Sequence, residues 1–212
     1  MAYKSVLFDL DGTLVHTLPK YRYLVVPQTL SEFDVVASKA NIDRFWFGDP
    51  ERDVVIKEGF GVDVELFWKT FRKYDNPQLR KDKSRVYDDV DFIGELREKG
   101  YLTGIVTGAP AHIAFPEIEL LGENNFDGII LACTSNGFKP KPHPHGLHEC
   151  LNLLKIKSDE AIYVGNGDED IEAAKNAGVF DILILRGEHD FCKLEPSLKI
   201  NSLYELRKFL GI

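Results

Sequence analysis

Apolar and polar positions divide the chain into two kinds of segment. From about residue 87 onward, short apolar runs alternate with amphipathic segments. The apolar runs have the length of buried strands, and the amphipathic segments repeat with the period of a helix. The predicted strands are LTGIVTG, GIILAC, AIYVGN and DILILRG, and the predicted helices are DVDFIGELREKG, HGLHECLNLLK and DIEAAKNAG. This alternation predicts a parallel sheet with right-handed crossovers.

A further strand at the start of the chain precedes a long helical segment. The apolar run SVLF ends just before Asp9, and the segment from residue 19 to residue 79 has apolar residues at spacings of three and four, as at Leu66, Phe67, Thr70, Phe71 and Tyr74. The helical segment lies inside the first crossover. We therefore predict an α/β fold, a doubly wound parallel sheet formed by residues 1–14 and 84–212, with residues 15–83 inserted as a helical cap domain.

Composition and charge narrow the possible functions. The 212 residues are 44% hydrophobic, which is ordinary for a globular protein, and the formal net charge is -8. An acidic chain without a cluster of lysine and arginine does not favour binding to nucleic acid or to an anionic membrane. No apolar run has the length of a membrane span, and the first residues lack the pattern of a signal peptide. We expect a cytoplasmic protein that is a monomer or a homodimer.

Cysteines and histidines offer two alternative metal sites, neither of which the pattern favours. The three cysteines, Cys133, Cys150 and Cys192, are odd in number and widely spaced, which argues against disulfides and against a cysteine-based zinc site. We expect them to be reduced and mostly buried. The segment HPHGLH carries three histidines, but a proline separates the first two, which disfavours a compact set of ligands.

Two acids crowd the end of the first strand. Asp9 and Asp11 are two residues apart, so in extended backbone both carboxylates point to the same face and repel each other. In an open parallel sheet, ligands bind beyond the carboxyl ends of the strands. Further polar residues follow the other strands, namely Thr107 after LTGIV, and Asn166, Asp168 and Asp170 after AIYVG, while Lys139 and Lys141 lie in GFKPKPHP.

A hard cation would make the crowded acids tolerable. Mg²⁺ prefers a few carboxylate oxygens together with waters and the phosphate of a substrate. A lysine beside such a site indicates that the ligand completing it is an anion such as phosphate. The residues alone therefore predict a Mg²⁺ site that accepts a phosphorylated molecule.

Four segments together resemble a known family. The pieces DLDGT, VTG, KPHP and VGNGDEDIEAAKNAG, in this order and at this separation, are similar to the four motifs of the haloacid dehalogenase (HAD) superfamily, in its phosphatase-like branch with an inserted helical cap. The resemblance covers the core at both ends of the chain. It implies a Mg²⁺-dependent phosphatase that hydrolyses a small phosphorylated metabolite through an aspartyl-phosphate intermediate.

The resemblance also implies a role for particular residues. Asp9 would be the nucleophile, and Asp11 the general acid and then the general base. Thr107 would hydrogen-bond the phosphoryl group, and Lys141, which fits the motif spacing better than Lys139, would withdraw charge from it. The residues implied at the substrate phosphate are Gly12, Thr107, Gly108 and Lys141, and those implied at the metal are Asp9, Asp11 through its carbonyl, Asn166 and Asp170.

Each motif also has a purely structural interpretation. Asp11 and Gly12 could form a simple turn. Thr107 could cap the following helix, and Lys141 could be a solvated lysine in an extended proline segment. A turn does not explain Asp9 at the end of a buried strand, however, and the four motifs together favour catalysis.

The last motif departs from the family pattern, which usually has an acid where this chain has Asn166. An amide oxygen still binds Mg²⁺, but a full negative charge is missing, so we expect weaker metal binding or lost turnover. Asp168 and Glu169 suit a helix N-terminus and are assigned a structural role, whereas Asp170 is assigned to the site. A sugar-phosphate phosphomutase and a catalytically weak phosphate-binding protein remain as alternatives, while Asp11 disfavours a dehalogenase.

Overall fold

The computed structural model describes residues 3–48, 51–189 and 193–212. Contacts within the backbone divide the chain into two compact units. The first, here called the sheet unit, comprises Met1–His16 and Arg85–Ile212. The second, here called the helical unit, comprises Thr17–Ser84. The chain passes between them through two short strands, β2 (Val15–Thr17) and β3 (Ser84–Val86), which pair with each other.

A six-stranded parallel sheet forms the centre of the sheet unit. Its strands are β1 (Ser5–Phe8), β4 (Leu102–Thr107), β5 (Gly128–Leu131), β6 (Ala161–Gly165), β7 (Phe180–Ile184) and β8 (Leu198–Ile200). Their order across the sheet is β5-β4-β1-β6-β7-β8, and every pair is parallel. The strand β1 therefore lies between β4 and β6. The carboxyl ends of these three strands meet at one edge of the sheet.

Helices cover both faces of this sheet. Alternation along β1 sends Val6 and Phe8 to one face and Leu7 to the other. The face of Phe8 packs against α6 (Phe92–Glu98), α7 (Ala111–Leu121) and α10 (Leu206–Leu210), and the face of Leu7 packs against α8 (His145–Leu154) and α9 (Asp168–Ala177). The prediction of a doubly wound α/β fold is confirmed.

The helical unit has an aromatic core of its own. Its helices are α1 (Pro19–Ser31), α2 (Lys39–Phe47), α3 (Arg52–Val54, continued by a π-helical segment Val55–Phe60), α4 (Val64–Tyr74) and α5 (Pro77–Lys83). Phe45 and Phe67 lie at the centre of this core, with ring centroids 5.1 Å apart. On α4 the predicted apolar positions Phe67 and Phe71 are buried, but Leu66 is 52% exposed and does not belong to the core.

Not every charged residue of the helical unit is solvated. Arg22 on α1 is 7% exposed. Its Nε donates a hydrogen bond of 2.6 Å to Asp43, and its guanidinium lies over the rings of Tyr23 and Phe47. Aromatic faces and one carboxylate therefore compensate the burial of this charge.

Two of the cysteines can be assessed. Cys133 and Cys150 are free and buried, as predicted, and burial raises the pKa of Cys150 to about 12, so its thiol is unreactive at neutral pH. Cys192 lies outside the described residues. Across the described part of the chain, no helix combines the length and the apolar character needed to span a membrane.

Candidate active site

Three neighbouring strands bring the predicted polar residues to one edge of the sheet. Asp9 directly follows β1, and its backbone N–H donates a 2.9 Å hydrogen bond to the carbonyl of Val164 in β6. Thr107 is the last residue of β4, and Asn166 directly follows β6. Because β4, β1 and β6 are adjacent, residues that are far apart in the chain meet here.

Lys141 joins two carboxylates from different motifs. Its Nζ lies 2.7 Å from Oδ1 of Asp9 and 2.5 Å from Oδ1 of Asp170. All three side chains are buried, with exposed fractions of 6%, 7% and 2% for Lys141, Asp9 and Asp170. Lys139 is exposed, and its backbone N–H donates to the ring of His145. The structure therefore brings Lys141, and not Lys139, together with Asp9 and Asp170, and these three side chains are called the cluster below.

Burial controls the protonation of this cluster. Burial and the charge of Asp170 raise the pKa of Asp9 to about 7, against the opposing effect of Lys141. Burial alone would lower the pKa of Lys141, but the charges of Asp170 and Asp9 raise it well above its usual value. Lys141 therefore stays positively charged, and the cluster holds a cation between two acids whose charges repel each other.

The start of α9 orients Asp170. Its Oδ2 accepts hydrogen bonds of 3.1 Å from the backbone N–H groups of Asn166 and Gly167, an acid at the third helical position reaching back to the helix start. A Cβ on Gly165 would lie 2.3 Å from the Cβ of Asp170, so only glycine leaves room for this side chain. Asp168 accepts instead from the backbone of Lys193 and Leu194, away from the cluster.

The turn after β1 packs directly against Asn166. Gly12 has a φ of 79°, which favours glycine, and a Cβ there would lie 2.2 Å from Nδ2 of Asn166. The hydroxyl of Thr13 lies 3.3 Å from Oδ2 of Asp9 and 3.4 Å from Oδ1 of Asn166, and it can donate its proton to only one of them at a time. Asn166 also approaches Nε2 of His189 at 3.4 Å.

Asp11 lies near this cluster but is more open to solvent. It is half-buried, and its charge is among the causes that raise the pKa of Asp9. The backbone around it is held by a bridge to Val15, whose carbonyl accepts a 2.6 Å hydrogen bond from the N–H of Gly12. Partial exposure leaves the side chain of Asp11 accessible to water.

Thr107 ends β4 beside the cluster, and Gly108 follows it. Thr107 is 1% exposed, and its hydroxyl accepts a 3.1 Å hydrogen bond from the N–H of Ala109. The helix α7 begins later, at Ala111 with Pro110 as its N-cap, so Thr107 does not cap it. A Cβ on Gly108 would meet no atom of the described residues within 4 Å, so their packing does not require glycine at this position.

The donor groups at this edge fit a hard divalent cation. The carboxylates of Asp9 and Asp170 both contact Nζ of Lys141. The amide of Asn166 lies near them, since its oxygen contacts the hydroxyl of Thr13, which also contacts Asp9. No group of three His, Cys, Asp or Glu side chains that could hold a metal occurs among the described residues. A cation would therefore need neutral oxygens, such as the Asn166 amide and a backbone carbonyl, beside two carboxylates.

Tyr163, which lies outside the predicted site residues, also contacts the cluster. Its hydroxyl lies 3.0 Å from the carbonyl of Val106, 3.2 Å from Oδ1 of Asp170 and 3.5 Å from Nζ of Lys141. Burial raises the pKa of Tyr163 well above its ordinary value, so the hydroxyl keeps its proton. Tyr163 and Gly165 are two positions apart in β6 and therefore lie on the same face of the sheet. This spacing was the sequence signal that could have indicated a role for Tyr163.

Comparison with known proteins identifies the family. A family model described as haloacid dehalogenase-like hydrolase matches residues 6–184. Pyrophosphatase PpaX of Halalkalibacterium halodurans is 30% identical over 229 aligned residues, which cover 100% of this chain and 99% of that protein. Phosphoglycolate phosphatase of Colwellia psychrerythraea is 27% identical, covering 86% of this chain and 84% of that one. The crystal structure of the HAD phosphatase of Thermococcus onnurineus matches with a TM-score of 0.71 and 26% identity, covering 98% of both chains.

The chain belongs to the haloacid dehalogenase-like hydrolases. Its relatives are named phosphatases and pyrophosphatases, and these matches confirm the resemblance found in the four motifs. The prediction of an enzyme of the phosphatase branch is confirmed with it. The roles of the individual site residues stay predictions.

Proposed function

We propose that this hydrolase removes the phosphoryl group from a small phosphorylated metabolite, with Asp9 as the covalent nucleophile and Mg²⁺ as cofactor. The observation that carries the proposal is the position of Lys141 Nζ, within 2.7 Å of Asp9 and 2.5 Å of Asp170. A buried cation beside a buried carboxylate suits a site in which that carboxylate attacks an anionic substrate.

The chemistry assigns two steps to the two acids of the first motif. An oxygen of Asp9 forms a bond to phosphorus while the bond to the leaving oxygen breaks, and Asp11 gives that oxygen a proton. Asp11 then takes a proton from water, whose oxygen attacks the phosphorus of the aspartyl-phosphate. This second step releases inorganic phosphate and restores the carboxylate of Asp9.

The phosphoryl oxygens would be bound by groups at the strand ends. Lys141 supplies positive charge, and the hydroxyl of Thr107 supplies a hydrogen bond. The backbone at Gly108 lies open to close approach, since this residue carries no side chain, whereas the amide of Asn166 occupies the space beside Gly12. At Gly108 no protein atom requires glycine, which supports a role in admitting the ligand.

The residues that would hold Mg²⁺ are Asp9, Asp170, Asn166 and Asp11 through its carbonyl. When bound, the ion neutralises charge on the phosphoryl group and so favours attack by an anionic carboxylate. Asp170 is held ready by two backbone N–H groups of the α9 start. Asn166 contributes an amide where the family pattern has an acid, so the set carries one negative charge fewer.

The helical unit, Thr17–Ser84, is proposed to act as the cap that recognises the leaving group. Its own aromatic core and its insertion within the first crossover support this assignment. The relatives carry different substrate names, a pyrophosphatase and a phosphoglycolate phosphatase, so the proposal is limited to a small phosphorylated molecule. The cytoplasmic location and the state of monomer or homodimer stay predictions.

A substrate screen tests the proposal. The protein is assayed for release of inorganic phosphate from p-nitrophenyl phosphate, inorganic pyrophosphate, 2-phosphoglycolate and sugar phosphates, with Mg²⁺ and with excess chelator. We expect hydrolysis with Mg²⁺ that the chelator abolishes. Full activity in excess chelator would exclude the metal, and isomerised sugar phosphate as the main product would favour a phosphomutase.

Two variants then test the nucleophile. Asp9→Asn should lower kcat by about 10³-fold or more in a folded protein, because an amide is a poor nucleophile. Asp168→Asn changes an acid of the last motif that accepts hydrogen bonds from the backbone N–H groups of Lys193 and Leu194, and it should retain activity. Unchanged turnover in Asp9→Asn would exclude the covalent mechanism. Phosphate binding without turnover in the unaltered protein would favour the alternative of a catalytically weak phosphate-binding protein.

A further inference from the structure

Arg186 lies just beyond β7 and contacts the backbone of the turn that follows β1. Its Nε and Nη2 donate hydrogen bonds of 3.0 and 2.6 Å to one acceptor, the carbonyl oxygen of Thr13. The Arg186 side chain is only 7% exposed. A buried guanidinium that places two donors on a single backbone carbonyl restricts the orientation of that peptide group.

The other side of the guanidinium is fixed as well. Its Nη1 donates a 2.8 Å hydrogen bond to Oδ2 of Asp89, and its Cζ lies 4.0 Å from the ring centroid of Tyr87. Asp89 is held in turn by the hydroxyl of Ser202 at 2.9 Å and the N–H of Leu203 at 2.7 Å. The arginine is therefore anchored to the segment before α6 and to the segment after β8.

Thr13 connects this anchor to the candidate active site. Its carbonyl accepts from Arg186, and its hydroxyl lies within 3.4 Å of oxygens of Asp9 and Asn166. A rotation of the Thr13 peptide would move the hydroxyl and the preceding Gly12 against Asn166, where little space remains. The orientation of the whole turn therefore depends on the acceptor bonds at Thr13.

We propose that Arg186 is a positioning residue for the turn Asp9–Thr13, acting through the Thr13 carbonyl and braced by Asp89. This inference rests on the proposed function, since that turn carries the proposed nucleophile and general acid. Arginine suits the task because its fork places three donors in fixed directions, whereas a lysine ammonium cannot hold the same carbonyl and carboxylate in one plane. Arg186 acts through Thr13 and has no proposed contact with a reacting atom.

Three variants separate positioning from general stability. Arg186→Met removes every donor, and Arg186→Lys retains the charge without the fork. Ser202→Ala is the matched control, because it removes one hydrogen bond to Asp89 and leaves the Thr13 carbonyl untouched. All three are compared as full-length protein for thermal midpoint, for kcat and KM on p-nitrophenyl phosphate with Mg²⁺, and for amide hydrogen exchange.

The expected result is a fall in kcat with little change in KM. Misplacing a nucleophile by a fraction of an ångström lowers turnover, and we expect a loss of about tenfold to a hundredfold in Arg186→Met and a smaller loss in Arg186→Lys. The amides of Gly12, Leu14 and Val15, which donate to backbone carbonyls, should exchange about tenfold faster in Arg186→Met. Ser202→Ala should lower only the thermal midpoint.

Other outcomes overturn the inference. If Arg186→Met keeps kcat within about twofold while its thermal midpoint falls as in Ser202→Ala, Arg186 is merely structural. A fall in kcat without faster exchange of the turn amides also overturns it, because the arginine would then act by another route. If the unaltered protein hydrolyses no phosphorylated compound, the proposed function fails, and the exchange comparison alone decides whether Arg186 holds the turn.

Discussion

The ammonium group of Lys141 lies 2.7 Å from Oδ1 of Asp9, although the two residues are 132 positions apart in the chain. Both side chains are buried, so each charge depends on its partner and on Asp170 for compensation. The same contact prepares a carboxylate and a cation for an anionic substrate. This pair of residues therefore contributes both to stability and to the proposed chemistry.

Replacement of Lys141 should destabilise the protein as well as inactivate it. Lys141→Gln leaves two buried carboxylates without this cation, and we expect a loss of about 3 kcal/mol in the free energy of unfolding without metal. Lys139→Gln is the matched control, since Lys139 is exposed, and should change stability by less than about 0.5 kcal/mol. Urea denaturation checks both values. Equal stability of the two variants would contradict the proposed compensation.

Restoring the acid of the family pattern should strengthen metal binding. Asn166→Asp adds a negative charge near Asp9 and Asp170, so we expect tighter apparent Mg²⁺ binding, apo stability lower by about 1 kcal/mol, and turnover that is equal or higher. The measurement is a Mg²⁺ titration of the thermal midpoint and of activity. The exposed Asn152→Asp, on α8, controls for the general effect of added charge. An unmoved Mg²⁺ midpoint would show that residue 166 does not bind the metal.

Tyr163→Phe tests whether the phenol of β6 holds the cluster. The variant keeps the ring and removes one hydroxyl that contacts Asp170, Lys141 and the carbonyl of Val106. We expect a loss of about 1 kcal/mol in stability and of about threefold to tenfold in kcat. Tyr101→Phe, just before β4 at the opposite end of the strands, should leave kcat unchanged. If both variants behave alike in the kinetic assay, Tyr163 is only a core residue.

Part of the acid sensitivity of the fold should come from Asp89. Burial would raise its pKa, but hydrogen bonds from Arg186, the N–H of Leu203 and Ser202 lower it below the ordinary value. A group whose pKa is lower in the folded state stabilises the fold above its unfolded pKa, about 4, and this stabilisation is lost as the pH falls further. Asp89→Asn should therefore be less stable than wild type at pH 7. Its free energy of unfolding should also fall less than that of wild type when the pH is lowered from 5 to 3. Parallel stability curves, measured by denaturation at several pH values, would contradict this assignment.

Adjacent positions on α4 should differ sharply in their effect on the helical unit. Phe67 is fully buried among Phe45, Phe60 and Phe71, so Phe67→Ala should cost about 3–5 kcal/mol. Leu66 is 52% exposed, so Leu66→Ala should cost less than about 1 kcal/mol. Denaturation followed by tryptophan fluorescence reports on the unit, since the ring of Trp68 meets that of Phe67 edge to face. Similar losses in both variants would mean that the core is not organised around Phe67.

Local patterns were enough to predict the strands that carry the site. The apolar runs before Asp9, Thr107 and Asn166 are continuous and strand-sized, because a parallel sheet covered by helices buries both of its faces. Ligands bind at the carboxyl ends of parallel strands. The alternation of strands and helices was therefore enough to predict which edge of the sheet carries the site. The preference for Lys141 over Lys139 followed from motif spacing.

Other elements had no adequate local signal. The helix α7 (Ala111–Leu121) was not predicted, because it contains Pro116 and leaves Phe115 52% exposed, which interrupts the helical pattern. The strands β2, β3 and β8 have only three residues each, too few for a period of two to be recognised. Their hydrogen bonds depend on partners far along the chain.

The order of the residues predicts which chemical groups occur at the site, but it does not predict which of them are in contact. Asp9, Lys141 and Asp170 could be named from short motifs, since each motif places its polar residue at the end of a strand, in the loop before a helix or at the start of a helix. Thr13, Tyr163 and Arg186 could not be given roles in this way. Their positions depend on which strands are neighbours and on which side chains are buried together, and burial turns an ordinary hydroxyl or guanidinium into a group that must find a partner.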